Sequence, residues 1–196
     1  MAIAVDFRDL HYAILTEAPD GKFTYATPKK IGDAVSGKAS PKNESVTFYA
    51  EGGPLATASA FGGVEIELET ADISLSTYAE LLGKTLIKGQ VIDNVNDVAP
   101  YVALLYRLPK DNGKNRFYCY YKTKFEIPED EHKTAEDKPT FQSAKIKCKA
   151  IQRSDGNWRH RLDEEETGYD QTVALNWFKT VPTPPTSTEP APPSGN

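Results

Sequence analysis

Residues 64–69 of this chain read Val-Glu-Ile-Glu-Leu-Glu, and residues 144–149 read Ala-Lys-Ile-Lys-Cys-Lys. Side chains along a β-strand point alternately to opposite faces, so each segment predicts a strand with one apolar and one charged face. The charged faces form one acidic and one basic stripe: Glu65, Glu67, Glu69, Lys145, Lys147 and Lys149. Like charges on one strand repel, so the two stripes would relieve each other on neighbouring strands or across a subunit boundary.

Two interpretations of these stripes are open. Antiparallel sheets often keep one face in water, and the stripes would then be ordinary solvated surface. Alternatively, the chain is an assembling β-protein in which the stripes set strand register and the choice of partner.

Composition narrows the class of protein. A chain of 196 residues is long enough for one good core. Its net charge of -5 argues against a sequence-independent DNA-binding module, which needs a basic face. Cys119 and Cys148 fall on apolar faces of predicted strands, so we expect buried free thiols, although a bridge between them stays possible. Neither a signal peptide nor a transmembrane stretch is evident, which favours folding in a cytoplasm.

Most of the chain reads as β-structure. Residues 7–15 predict a strand that ends at a Pro-Asp-Gly turn and forms a hairpin with residues 23–25. Residues 45–50 predict a short strand, which stops at Glu-Gly-Gly-Pro and is followed by a Gly-rich insertion. Residues 172–178 predict a final strand.

The clearest hairpin joins residues 99–108 to residues 116–125 through an Asn-Gly turn. Strict alternation in the second arm predicts two faces. One carries Phe117, Cys119, Tyr121 and Phe125, and the other carries Tyr118, Tyr120, Lys122 and Lys124. The second face could stack nucleobases, but tyrosine and lysine also line sheet surfaces and subunit contacts, which suits an acidic protein better.

One helix and one tail stand out. Residues 74–82 have apolar residues at helical spacing, with Ser74 or Asp72 as N-cap and Gly83 at the C-terminal end. The helix should pack on a sheet.

Residues 181–196 are rich in Pro, Thr and Ser, so we expect a flexible tail after a single β domain spanning residues 1–180.

No catalytic constellation is apparent, and we expect neither an enzyme nor a cofactor. His11, His132 and His160 are isolated from one another, which gives a zinc site little support. The carboxylate run at residues 163–166 has the chemistry to bind a divalent cation, but it lacks the alternate spacing of an EF-hand and is more typical of a solvated loop.

Several segments, in this order, resemble the major tail proteins (tail tube proteins) of long-tailed, non-contractile phages. They are residues 4–13 (AVDFRDLHYA), 39–42 (ASPK), 49–50 (YA), 97–103 (DVAPYVA), 122–125 (KTKF) and 155–158 (DGNW). The resemblance covers most of residues 1–180.

The resemblance implies a β-sandwich or half-barrel of antiparallel strands with one short flanking helix. It further implies that six copies close into a ring around a lumen, that rings stack through an arm at about residues 50–63, and that DNA passes through the tube without specific binding. The partners would be further copies, phage DNA, and tail proteins such as the tape measure and terminator, in a virion tail assembled in the host bacterial cytoplasm, with no membrane involved.

On this interpretation a set of residues become candidates for subunit interfaces: Phe61, Glu65, Glu67, Glu69, Tyr118, Tyr120, Lys145, Lys147 and Lys149. The rival interpretation is a soluble β-sandwich binding module, such as a carbohydrate-binding or adhesin-like domain. Its marker would be exposed aromatic residues in a groove, here Tyr118, Tyr120 and Trp158. A small hydrolase is a third class, with no motif to support it.

Overall fold

The computed structural model describes residues 2–50, 53–129 and 143–185. The described chain is mainly antiparallel β-structure with two helices. The strands are β1 (Arg8–Glu17), β2 (Phe23–Tyr25), β3 (Lys29–Lys30), β4 (Ala34–Ala50), β5 (Gly53–Thr70), β6 (Leu86–Ile87), β7 (Gln90–Val91), β8 (Tyr101–Pro109), β9 (Asn115–Phe125), β10 (Ala144–Ile151) and β11 (Arg159–Asp163). The helices are α1 (Leu75–Leu82) and α2 (Gln171–Asn176).

One sheet holds nine of the strands. Its order is β2-β1-β8-β9-β10-β5-β4, with β3 also pairing with β1 and β11 with the first half of β9. Strands β6 and β7 form a separate small hairpin. Within the described residues the main sheet does not close into a barrel, because β4 and β2 end the path without pairing with each other.

Two apolar clusters lie on opposite faces of this sheet. The first is the larger, is covered by α1, and contains Leu10, Tyr12, Val64, Ile66, Leu68, Leu81, Leu82, Val102, Leu104, Tyr106, Tyr120, Phe125, Ile146 and Cys148. The second is covered by α2 and the residues after it, and contains Ala13, Ala103, Leu105, Phe117, Cys119, Tyr121 and Trp177. The sheet is therefore covered on both faces over much of its area.

Local sequence signals explain α1, and the prediction of this helix is confirmed. The Ser74 hydroxyl accepts a hydrogen bond from the Thr77 backbone N–H at 3.2 Å, which satisfies one of the free donors of the first turn. Gly83 ends the helix in the left-handed region, at φ 68°. Leu81 and Leu82 are buried in the first cluster, so the helix packs on the sheet as expected.

The predicted strand over residues 172–178 is wrong, because this segment contains α2. The Asp170 carboxylate accepts hydrogen bonds from the backbone N–H groups of Thr172 and Val173, which starts a helix. Val173 and Trp177 then lie four residues apart and face the second cluster, where Trp177 is fully buried. The Asp170 N-cap was the sequence signal for this helix, but the apolar pattern of residues 172–178 favoured a strand instead.

The predicted face assignment in β9 holds as far as Tyr121 but is wrong beyond it. Between its pairings with Leu104 and Val102, β9 advances three residues while β8 advances two, so β9 carries a bulge. The extra residue reverses the alternation. Phe125 therefore joins Tyr120 in the first cluster, and Lys124 lies over the Tyr101 ring on the opposite face.

Both cysteines are free and buried, as predicted. Burial raises the pKa of each thiol, so both stay protonated and unreactive near neutral pH. At the other end of the chain, Val181 packs against the second cluster and Pro182 is buried, so packing continues past residue 180. Most of the predicted tail, residues 186–196, lies outside the described residues.

Gly83 offers a test of how the segment after α1 docks on the helix. A Cβ at Gly83 would stand 2.1 Å from the Val98 carbonyl oxygen, whereas one at Gly89, which has a similar φ of 76°, would meet nothing within 4 Å. We expect Gly89→Ala to cost about 1 kcal/mol, the penalty for a side chain in this backbone region. Gly83→Ala should cost clearly more in urea unfolding, and equal losses would contradict the close contact.

Candidate functional site

The acidic and basic stripes lie side by side on adjacent strands. In the β5–β10 pairing, Glu65 is directly opposite Lys149, Glu67 is opposite Lys147, and Glu69 is opposite Lys145. The apolar residues between them, among them Ile66 and Cys148, point into the first cluster. The sequence predicted that the repulsion within each stripe is relieved either on neighbouring strands or across a subunit boundary. The structure places the two stripes on neighbouring strands of one chain.

A third strand extends this pattern, which the sequence analysis missed. On β4, Lys38 is opposite Glu67, and the Lys42 ammonium lies 3.1 Å from a Glu65 carboxylate oxygen. Hydrogen bonds from Ser143 and Ser36 hold the pKa of Glu69 below its usual range. We call this exposed face of β4, β5 and β10 the charge ladder. The alternation Lys38-x-Ser40-x-Lys42 was the sequence signal for it.

The hairpin of β4 and β5 is much longer than the rest of the sheet. Strand β5 pairs with β10 only from Val64 to Thr70, but it pairs with β4 as far as Gly53. Residues 43–50 and 53–61 therefore pair only with each other in the described chain. We call them the outer hairpin, and at the usual rise per residue it is about 25 Å long.

The Gly-rich insertion expected at residues 50–63 lies largely within this hairpin, because residues 53–63 belong to β5. Residues 51–52 lie outside the described residues. The outer hairpin begins at a bulge beside Gly63, whose φ is 99° and where a Cβ would stand 2.9 Å from the Ala150 carbonyl oxygen. Phe61 is not free at this point, since its ring stacks on Trp158 with centroids 4.8 Å apart.

The aromatic residues that would mark a binding groove are largely internal. Tyr120 is 1% exposed, so it does not lie on the surface of the single chain. Tyr118 is partly buried and stacks on Tyr106 at 5.0 Å. These rings line a cavity of about 270 Å³ that Phe7 also borders. Its volume is just below the usual range for ligand pockets, so packing is the simpler role for the rings.

The carboxylate run at residues 163–166 serves the fold. Lys110, whose side chain is 1% exposed, pairs with Asp163 at 2.5 Å and with Glu165. Arg116 pairs with Asp163 at 2.6 Å. These contacts tie the β8–β9 hairpin to the end of β11, and they pair two carboxylates of the run, Asp163 and Glu165, with protein cations.

The histidines show no metal-site geometry in the described part of the chain. The His11 Nδ1 lies 2.8 Å from the Asp9 carbonyl oxygen, and the His160 Nδ1 lies 3.0 Å from the Tyr121 hydroxyl. Burial lowers the pKa of His160. His132 is outside the described residues. Across residues 2–50, 53–129 and 143–185, no three His, Cys, Asp or Glu side chains form a group that could hold a metal ion.

Comparison with known proteins does not assign the chain to a family. No protein-family model matches the sequence, and no curated protein matches it at a significant level. Among the described residues, neither helix has the length and apolar character needed to cross a membrane.

The charge ladder predicts a salt-dependent stability effect. Glu67→Lys places three lysines side by side, at residues 38, 67 and 147. We therefore expect the free energy of unfolding to fall by at most about 1 kcal/mol, and to fall more at low salt than at high salt. Adding Lys147→Glu should restore part of the loss. Urea unfolding at two salt concentrations measures this cycle, and no recovery in the double variant would argue against the pairing.

The Lys110 network predicts a defined pH dependence. Burial alone would raise the pKa of Asp163, but hydrogen bonds from Lys110, the Glu165 backbone N–H and Arg116 lower it to about 2. Its stabilising contribution is therefore complete above the unfolded value near 3.8 and is lost as pH falls towards 2. Asp163→Asn should cost on the order of 2 kcal/mol at pH 7.

The difference in unfolding free energy between wild type and Asp163→Asn should shrink between pH 4 and pH 2. Chemical unfolding across this range measures it. A difference that stays constant with pH would show that the carboxylate charge is not what stabilises the network.

Proposed function

We propose that this chain is a structural protein that assembles with copies of itself, in the manner of a phage tail tube protein. The sheet would act as a half-barrel whose neighbours complete the wall of a ring. Six copies per ring, stacked rings, passage of DNA through the lumen, contacts with tape measure and terminator proteins, and assembly in the host cytoplasm before incorporation in a virion tail are all parts of this proposal.

The long hairpin is the observation that carries the proposal. A two-stranded ribbon with no third strand is only marginally stable in water. The outer hairpin nevertheless continues for about 25 Å beyond the last residue that pairs with β10. A second copy that packs against this ribbon would supply the missing contacts, which supports a role as the arm that joins rings.

The open edge of β4 is a second support. Strand β4 has 17 residues and pairs on one side only in the described chain. Long edge strands favour pairing with another chain, and natural proteins usually shorten or cover them. Closure of several copies into a ring would remove this edge, and a head-to-tail contact of this kind is what ring symmetry requires.

The charge ladder is compatible with a lumen or an outer wall. Each of Lys145, Lys147 and Lys149 stands opposite a glutamate of β5, and Lys149 also stands opposite Lys124 of β9. Each uncompensated phosphate contact would add salt-dependent affinity and slow the passage of DNA. Pairing of this stripe therefore supports transit without specific binding.

Shortening the outer hairpin tests the proposal. Asn43 and Phe61 are direct partners, so residues 44–60 can be replaced by a two-residue Asn-Gly turn without changing the sheet register. We expect this variant to stay folded by circular dichroism and thermal unfolding, but to form no tubes by negative-stain electron microscopy. A matched control that ends at Pro185, and so lacks residues 186–196, should form tubes of unchanged diameter.

The outcomes separate the candidate functions. Tubes formed by the shortened variant would overturn the role of the arm. A wild-type chain that stays monomeric at every concentration and salt tested, and that binds glycans on an array, would favour the alternative of a soluble β-sandwich binding module.

A further inference from the structure

The segment between α1 and β8 is exposed over most of its length but is anchored by one buried lysine. We call residues 84–98 the aliphatic loop. The side chain of Lys84 is 3% exposed, pairs with Asp93, lies 3.6 Å from Asp97, and approaches the Tyr78 ring at 5.6 Å. The Asp97 carboxylate accepts a hydrogen bond from the Asn94 backbone N–H at 2.8 Å. These contacts fix the loop in one conformation.

The apolar side chains of the same loop point to solvent. The exposed fractions are Leu86 41%, Ile87 62%, Ile92 78%, Val95 97% and Val98 71%. Exposed aliphatic side chains concentrated in one segment of the chain are a candidate interaction surface.

A recess on the same chain offers apolar side chains together with polar ones. We call it the α2 groove, a space of about 530 Å³ where α2 meets β1, β8 and β9. Its apolar and aromatic lining is Phe117, Tyr169, Ala174, Leu175 and Phe178, and its polar lining includes Asp9, Arg107 and Glu164. Leu175 is 67% exposed, so the lining is open to a partner.

We propose that the aliphatic loop of one copy docks in the α2 groove of the next copy. The loop projects several aliphatic side chains, and the groove is wide enough to receive more than one of them. The two surfaces differ, so the contact is head-to-tail and leaves one loop and one groove free for further copies. This inference rests on the proposed function, because it names the contact through which copies would join.

Charge supports a second copy as the occupant. Lys88, at the tip of the β6–β7 hairpin, makes no ion pair within the described part of the chain. At the groove, the Glu164 carboxylate accepts hydrogen bonds from the backbone N–H and the side-chain amide of Asn115, but no cation pairs with it among the described residues. One unpaired lysine on the loop thus matches one unpaired glutamate on the groove.

Disulfide trapping tests the contact directly. Cys119 and Cys148 are buried, so an engineered cysteine would be the only accessible thiol on each chain. Two single variants, Val95→Cys and Leu175→Cys, are purified separately, mixed at high concentration and oxidised. We expect the mixture to give at least several-fold more linked heterodimer than a control mixture of Val95→Cys with Thr24→Cys, an exposed position on β2. Equal yields would overturn the proposal.

A second measurement separates this inference from the proposed function. Val95→Asp should raise the concentration needed for assembly about tenfold or more, whereas Val5→Asp, at a 64% exposed valine outside both surfaces, should leave it unchanged. If wild type assembles and Val95→Asp assembles equally well, the docking contact is wrong and the proposed function stands. If wild type forms no tubes, the proposed function fails, and the trapping yield still decides whether this contact exists.

Discussion

The alternation of charged and apolar residues on β5 and β10 is the constraint on which the rest of the sheet depends. It buries Val64, Ile66 and Leu68 beneath a face where every glutamate meets a lysine. A slip by one residue would turn the apolar set to water and the charges into the core, so that register is strongly disfavoured. The bulge beside Gly63 then marks where β5 leaves β10 and continues with β4 alone.

This arrangement divides the hairpin of β4 and β5 into an inner part, where β5 also pairs with β10, and an outer part, where it does not. The inner part is anchored by the first cluster and by a neighbouring strand. The backbone of the outer part pairs only with itself among the described residues, and Phe61 at its base stacks on Trp158. Two-stranded ribbons gain most of their stability from whatever packs on them.

The β-bulge in β9 has a comparable effect on the core. Because it reverses the alternation, one strand contributes Tyr120 and Phe125 to the first cluster, and Phe117 and Cys119 to the second. The sheet can then be covered by α1 on one face and by α2 on the other. The charge ladder, the aliphatic loop and the α2 groove, which α2 itself borders, are surfaces left open in the described chain.

The sequence by itself determined the features that depend on near neighbours in the chain. The caps of α1 at Ser74 and Gly83, the Asn-Gly turn between β8 and β9, and the two faces of residues 64–69 follow from local hydrogen bonding, backbone freedom and the period of a strand. The tertiary structure alone decided the features that depend on distant residues. It placed Lys147 opposite Glu67, buried Tyr120, stacked Phe61 on Trp158, and docked α2, which begins at the Asp170 N-cap, so that Trp177 is buried. Register, bulges and helix docking are set by packing between segments that are far apart in sequence, and a local pattern does not contain that information.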